Sequence, residues 1–136
     1  MSKRSASLCV RLRIDVCPAS SIGPGKIGLL EHIEACGSLS EAARELGMSY
    51  RRAWLLLDDL NHAFAHPVTT ASIGGAGGGG ARLTEFGRKL IAAYRDIERS
   101  AQAEASTRLA WLLAGGVQEP VRGSTRRPLA RPVSKR

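Results

Sequence analysis

Three features of this 136-residue sequence predict a mainly α fold, a helix-turn-helix followed by a two-stranded, glycine-rich wing. The segments "SLSEAARELG" and "SYRRAWLLLDDLN" each open on a serine and meet around Gly47. The segments "HPVTTASI" and "ARLT" flank the run "GGAGGGG" at 74–80. Apolar residues then recur in three- and four-residue steps from Phe86 to Leu112, the period of an amphipathic helix. An N-terminal strand and a long C-terminal dimerisation helix complete the expected architecture.

At the start, Leu8, Val10, Leu12, Ile14 and Val16 stand on one side of an alternation that places Arg11, Arg13 and Asp15 on the other. This predicts a half-buried strand over 8–16, with a disordered stretch, 1–7, ahead of it. "CPASSIGPG" then breaks the chain. From Pro24, the spacing of Ile27, Leu30 and Ile33 predicts a helix over 24–36, with Gly37 closing it.

Ser38-x-x-Glu41 reads as a capping box, in which the serine oxygen accepts from an orphan backbone N–H and the glutamate reaches back. Ala42, Ala43 and Leu46 give this second helix a small-residue face, and Gly47 fits a left-handed stop. Ser49 can cap a third helix, "YRRAWLLLDDLNHAF". Ala53, Trp54, Leu57 and Leu60 mark its inner face, with Trp54 expected as a core anchor, while Tyr50, Arg51, Arg52 and Asp58 fall outside. Leu55 and Leu56 make the helix apolar almost all round and await a partner, either the fourth helix or a dimer mate.

Pro67 stops the third helix, and two short strands follow around the glycine run. Thr84 can cap the fourth helix, expected over about 84–114. Such a helix extends roughly 45 Å, longer than a domain of this size is wide, so its distal half calls for a twin. The predicted domain is therefore 8–114, with a Pro/Gly/Ser-rich, basic, disordered tail over 115–136.

The formal net charge of +8 points to a polyanionic partner, most economically nucleic acid. Much of the excess sits in the flanks. Lys3, Arg4, Arg11 and Arg13 lie near the start, and Arg122, Arg126, Arg127, Arg131, Lys135 and Arg136 face only Glu119 in the tail. Aromatic residues make up 4% of the chain, enough with Leu, Ile and Ala for a small helical core and too few for a large cavity-bearing enzyme. Cys9, Cys17 and Cys36 contain no CxxC, which suggests reduced thiols and a cytoplasmic setting. No apolar run approaches the length of a membrane span, and arginines interrupt the first apolar segment, so neither a membrane nor a signal peptide is expected.

A capped helix, a glycine turn and a second helix with basic residues in its first turn form a helix-turn-helix. Ala43 is where the two helices come closest. The third helix would present its first turn to the major groove of double-stranded DNA while the second lies across the backbone. Ser38 and Ser40 are candidates to hold a phosphate. Tyr50, Arg51 and Arg52 are candidates for base edges, arginine pairing with guanine being the commonest specific contact. Trp54 is a core residue in this reading, not a base-stacking one.

Gly75-x-Gly77-x-x-Gly80 formally matches a dinucleotide fingerprint, but the fingerprint needs a helix opening at the glycines and a second strand with an acidic residue. Here "ARLT" intervenes and a long helix follows. His32 with Cys36, and His62 with His66, offer two ligands each where structural zinc wants four. Asp58 and Asp59 point about 100° apart on a helix, so no catalytic constellation emerges and an enzyme is not expected.

"GSLSEAARELGMSYRRAWLLLDDLN" followed by "GGAGGGGARLTEFGRKLIAAY" resembles the N-terminal domain of ModE-type molybdate-responsive transcriptional regulators, whose fold is related to LysR-type winged helices. The matching pieces are Gly37-Ser38, Ala43, Gly47, Ser49-Tyr50-Arg51, Ala53-Trp54, Asn61, the glycine run, Leu83-Thr84, Gly87 and Tyr94, over about residues 10–112. The resemblance implies a homodimer joined through the fourth helix and reading a palindromic operator, in genes related to molybdenum. It carries DNA-contact roles onto Ser49, Tyr50, Arg51 and Arg52, with Ser38 and Ser40 at the preceding helix start.

Two departures stand out. Relatives continue into small β-barrel modules that bind the oxyanion. Here about 22 residues follow the helix, so no cofactor is expected, molybdate included, and sensing would fall to a separate sensor protein. Relatives also often place a lysine among the wing glycines where this chain has Ala76. No Lys or Arg lies between 67 and 81, which leaves backbone amides and the flanking Arg82 for any wing contact. The rival expectation is a non-enzymatic interaction or architectural protein whose long helix recruits another protein and whose basic ends give general nucleic-acid affinity.

Overall fold

The computed structural model describes residues 6–72 and 80–118. The wing tip at 73–79, most of the N-terminal stretch expected to be disordered and the tail from 119 lie outside the described residues. The elements are β1 (Ile14–Val16), β2 (Ser20–Ile22), α1 (Pro24–Cys36), α2 (Leu39–Glu45), α3 (Tyr50–Ala63), β3 (Thr69–Ser72), β4 (Gly80–Leu83), α4 (Glu85–Arg108) and α5 (Ala110–Ala114). The described chain is 59% helical, which agrees with the mainly α expectation.

Helix α1 is the centre of the fold, touching α2, α3, α4 and β4. Its Ile27, Leu29, Leu30 and Ile33 are completely buried. Pro24 sits in its first turn, where a missing N–H costs nothing. Gly37 ends it in a left-handed conformation, its N–H returning to the Ile33 carbonyl. The main core joins Leu29, Leu30 and Ile33 to Leu39, Ala42 and Ala43 of α2, to Ala53, Leu57 and Leu60 of α3, and to Val68 and Leu83. Ile22, Ile27 and Tyr94 make a second cluster beside Leu12, Ile14 and Val16.

The serine half of the expected capping box is present: Ser38 Oγ accepts from the Glu41 N–H at 3.1 Å. Glu41 itself lies 3.6 Å from Arg44. Leu46 caps α2 and Gly47 follows at φ +67°, a conformation that costs a side-chain-bearing residue steric strain. The Met48 N–H then bonds to the Ala43 carbonyl at 3.0 Å, which locks the turn. Ser49 accepts from the Arg52 N–H at 3.1 Å and opens α3.

Three expectations require correction. The N-terminal strand covers only Ile14–Val16, and the expected break after it is a hairpin, β1 pairing antiparallel with β2. Residues 8–12 lie instead against α4, where one side chain stands in for a neighbouring strand. Gln102 Oε1 accepts from the Val10 N–H at 2.8 Å and its Nε2 donates to the Leu8 carbonyl at 2.8 Å. Second, the fourth helix is not continuous to 114. It ends at Arg108, Leu109 adopts φ −112° and ψ 14°, and a separate short helix follows. The continuous part is about 36 Å long. Third, Trp54 is 47% exposed. The buried stripe of α3 is Ala53, Leu57 and Leu60, and Trp54 lies at its flank.

Tyr94 fastens the N-terminal segment to α4 by donating to the Leu12 carbonyl at 2.7 Å. Burial, with Glu98 nearby, holds its phenol above the ordinary value, so it stays a neutral donor. At the hairpin Lys26 Nζ donates to Asp59 Oδ2 at 2.6 Å, to Ser20 Oγ at 2.9 Å and to the Ser21 carbonyl at 2.8 Å. The hairpin, α1 and α3 thus meet at one ammonium. The Lys26 hydrogen bond, followed by that from Ser20, holds the Asp59 carboxyl below the usual aspartate range.

β3 and β4 form an antiparallel ribbon in which Thr69 faces Leu83 and Ser72 faces Gly80. The Ala81 N–H donates to the Gly37 carbonyl at 2.9 Å, seating the ribbon on the end of α1. At its base the Thr84 N–H donates to the Val68 carbonyl at 2.9 Å. Thr84 Oγ1 donates to the Pro67 carbonyl at 2.7 Å and accepts from the Gly87 N–H at 3.0 Å. A methyl group on Gly87 would stand 2.3 Å from that Val68 oxygen.

Gly87→Ala should therefore destabilise the fold by about 1–3 kcal/mol through overpacking against fixed backbone, read as a lower urea midpoint at unchanged slope. Asp59→Asn tests the ammonium node. A depressed carboxyl stabilises the fold above the unfolded aspartate pKa, about 3.9, and that stability is lost as pH falls through the lower folded value. The gap in urea midpoint between parent and Asp59→Asn should be full at pH 6 and should narrow steadily below pH 4.

Candidate nucleic-acid interface

The first turn of α3 gathers Ser49, Tyr50, Arg51 and Arg52 at one helix start. All four are exposed, Tyr50 by 56%. The Ser49 cap fixes the entry angle of the chain, and the Ala53–Leu57–Leu60 stripe beneath fixes the rotation of the helix. The side chains of 50–52 consequently project from a rigid base.

Most cations of the described chain are already partnered. Arg13 meets Asp15, Lys26 meets Asp59, and Arg44 meets Glu41. Arg88 meets Glu34, Arg99 meets Asp96, and Arg108 meets Glu104. Arg95 is held between Glu31 and Glu98, whose hydrogen bonds raise its pKa further and keep it permanently charged. Among the described residues Arg11, Arg51, Arg52, Arg82 and Lys89 make no ion pair. Two of these five are neighbours on the α3 start. An unpaired, exposed guanidinium keeps all of its donors available for a phosphate or a guanine edge.

Ser38 is placed differently from its neighbours. It is 3% exposed and its oxygen serves the α2 cap. Ser40, two residues on, is exposed. Arg82 is exposed on β4, across the ribbon from Thr70, so it belongs to the ribbon and not to the α3 cluster.

One residue that the sequence left without a role proves central to the geometry. Asn61 Oδ1 accepts from the Val68 N–H at 2.9 Å and the Thr69 N–H at 3.1 Å, while its Nδ2 donates to Thr69 Oγ1 at 3.1 Å. It therefore sets the position of the ribbon relative to α3. The available signal was an amide side chain at the end of a helix, just ahead of a segment whose buried N–H groups need acceptors.

The two histidine pairs find local uses. His32 Nδ1 lies 2.8 Å from the Gly28 carbonyl, and Cys36 donates to the His32 carbonyl. His62 sits against Asp58, and the His66 ring lies 5.7 Å from that of Phe86. Among the described residues no group of three His, Cys, Asp or Glu side chains is placed to hold a metal ion, and no helix is long and apolar enough to cross a membrane.

A helical core that presents a capped, cationic helix start and carries a β ribbon fastened to the other end of that helix is the class of structure these observations define. The chain is a homologue of the bacterial ModE and Mop proteins. It is 39% identical over 113 residues to the molybdenum-pterin-binding protein MopA of Rhodobacter capsulatus, covering 83% of this chain and 41% of MopA. With MopB of the same organism it shares 51% over 77 residues, 57% of this chain and 28% of the relative. The DNA-binding transcriptional dual regulator ModE of Escherichia coli is 42% identical over 71 residues, 52% of this chain and 27% of that protein. The matched stretch thus spans well under half the length of each relative. No family model matches the chain.

Because Val68 is fully buried and Thr69 nearly so, Asn61→Ala leaves two backbone donors without acceptors. A loss of about 2 kcal/mol or more follows, measurable by thermal or urea unfolding.

Proposed function

We propose that the chain is a sequence-specific DNA-binding transcriptional regulator, using a winged helix-turn-helix and acting as a homodimer on a palindromic operator. The observation that carries this reading is the α3 start, where Arg51 and Arg52 stand exposed and unpaired on a capped helix while most other cations of the described chain are matched with carboxylates. α2 and α3 are the two helices of the motif, α3 entering the major groove, and β3 and β4 are the wing. Arg51 and Arg52 read base edges with Tyr50 and Ser49, Ser40 contacts the backbone, and Arg82 contributes from the wing. Ser38 acts through the cap that aims α2. The homology to a DNA-binding regulator supports the assignment, and the molybdenum-related names of the relatives suggest which genes it controls.

The homodimer rests on α4 and α5. Ile97, Leu109, Trp111 and Leu112 leave 36–66% of their surface exposed along them, an apolar face that a second copy would cover. The same face is the specific support for the alternative, an interaction protein recruited through this helix with only general affinity for nucleic acid.

Arg51→Ala should weaken operator binding by about 1–3 kcal/mol and relax base preference. Equal binding of all duplexes by parent and variant would favour the interaction protein. Light scattering at micromolar concentration should give the mass of a dimer, and a monomer would remove the α4 argument.

A further inference from the structure

Leu55 is 51% exposed in the second turn of α3. Its neighbour Leu56 packs against the core, but Leu55 does not. It stands four residues after Arg51, so the two lie one above the other on the side of the helix turned away from Ala53, Leu57 and Leu60. The charge of α3 changes sign just beyond it. Arg51 and Arg52 precede it, and Asp58 and Asp59 follow. Asp59 is held by Lys26, and Asp58 is paired with His62 at 3.1 Å. Phosphates are therefore attracted to the start of the helix, and its last two turns offer them no uncommitted positive charge. The exposed leucine marks the inner limit of the favourable surface.

The geometry points to Leu55 as a specificity-determining residue that reads a thymine by packing on its C5 methyl group. This rests on the DNA-binding reading above and adds a base to it. The major-groove edge of thymine is the one that presents a methyl group, and apolar side chains recognise it by contact. One helical turn is about 5.4 Å and successive base pairs are about 3.4 Å apart. With Arg51 on a guanine, Leu55 falls over a base pair one or two steps along. The occupant of this apolar position is DNA and not protein, because the position continues the unpaired cationic turn without interruption.

The test starts from duplexes selected by the full chain from a random pool. Each thymine of the selected half-site is replaced in turn by deoxyuridine, which removes the methyl group and leaves every hydrogen-bonding atom in place. One position, replaced in both half-sites, should cost the parent about fifteenfold in affinity, about fourfold for each buried methyl group. Leu55→Ala should bind the thymine duplex more weakly by the same factor and should no longer distinguish it from the deoxyuridine duplex. Arg51→Ala should lose guanine preference while keeping the thymine effect. If the parent selects a motif yet no deoxyuridine substitution matters, or Leu55→Ala discriminates as the parent does, this inference is overturned and the regulator reading survives. If Leu55→Ala instead changes the mass in solution with the thymine effect intact, the leucine belongs to a protein contact and the inference is again overturned. If no motif is selected at all, both fall together.

Discussion

The backbone of Val68 is the point on which the rest of the structure depends. Its N–H is taken by Asn61 at the end of α3, its carbonyl by Thr84 at the start of α4, and its side chain is wholly buried in the main core. The end of α3, the entry to β3 and the start of α4 are fixed by the two polar groups of one residue. A strand in the middle of a sheet satisfies such groups with two neighbouring strands. A two-stranded ribbon has only one, so its outer edge must find side chains and turns to bond with. Asn61 and Thr84 are those groups, and Gly87 is the bare surface that lets α4 come close enough.

The same economy appears at the other edge of the fold. The N-terminal segment is short of strand partners, and an amide on α4 and a tyrosine hydroxyl supply what a neighbouring strand would have supplied. Ion pairs such as Arg88–Glu34 and Arg95–Glu31 then tie α4 to α1. Individually such surface pairs contribute little. Their larger effect is to neutralise the sides of the molecule, so that the uncommitted charge of the folded part is concentrated at a few places.

Much of this was legible from the sequence because the signals were local. Pro24 and Gly37 bound α1, Ser38 and Ser49 cap their helices, Gly47 turns left-handed between them, and Thr84 opens α4, each through bonds within a few residues. What was missed depended on distant contacts. Alternation along 8–16 describes an extended chain but cannot tell pairing with a strand from pairing with a glutamine some ninety residues on. Apolar spacing runs smoothly through Leu109 and so conceals a change of backbone angle there. Trp54 lies within the apolar arc of α3, yet the small face of α2 brings the neighbouring helices against Ala53 and leaves the indole at the margin. The candidate site divided in the same way. The α3 start was readable from its cap and arginines, but that those arginines are uncommitted became visible only when the acids had been assigned to other partners.

The clasp between Gln102 and Leu8–Val10 has a practical consequence. Gln102 is about 26 Å along α4 from the ribbon, and the helix ends six residues later at Arg108. The first described residues and the end of α4 thus lie at the same end of the helix, remote from the base of the ribbon. A fluorophore attached through the exposed Cys9 is delivered to that end. A probe there reports on the exposed apolar surface of α4 and α5 and not on the ribbon.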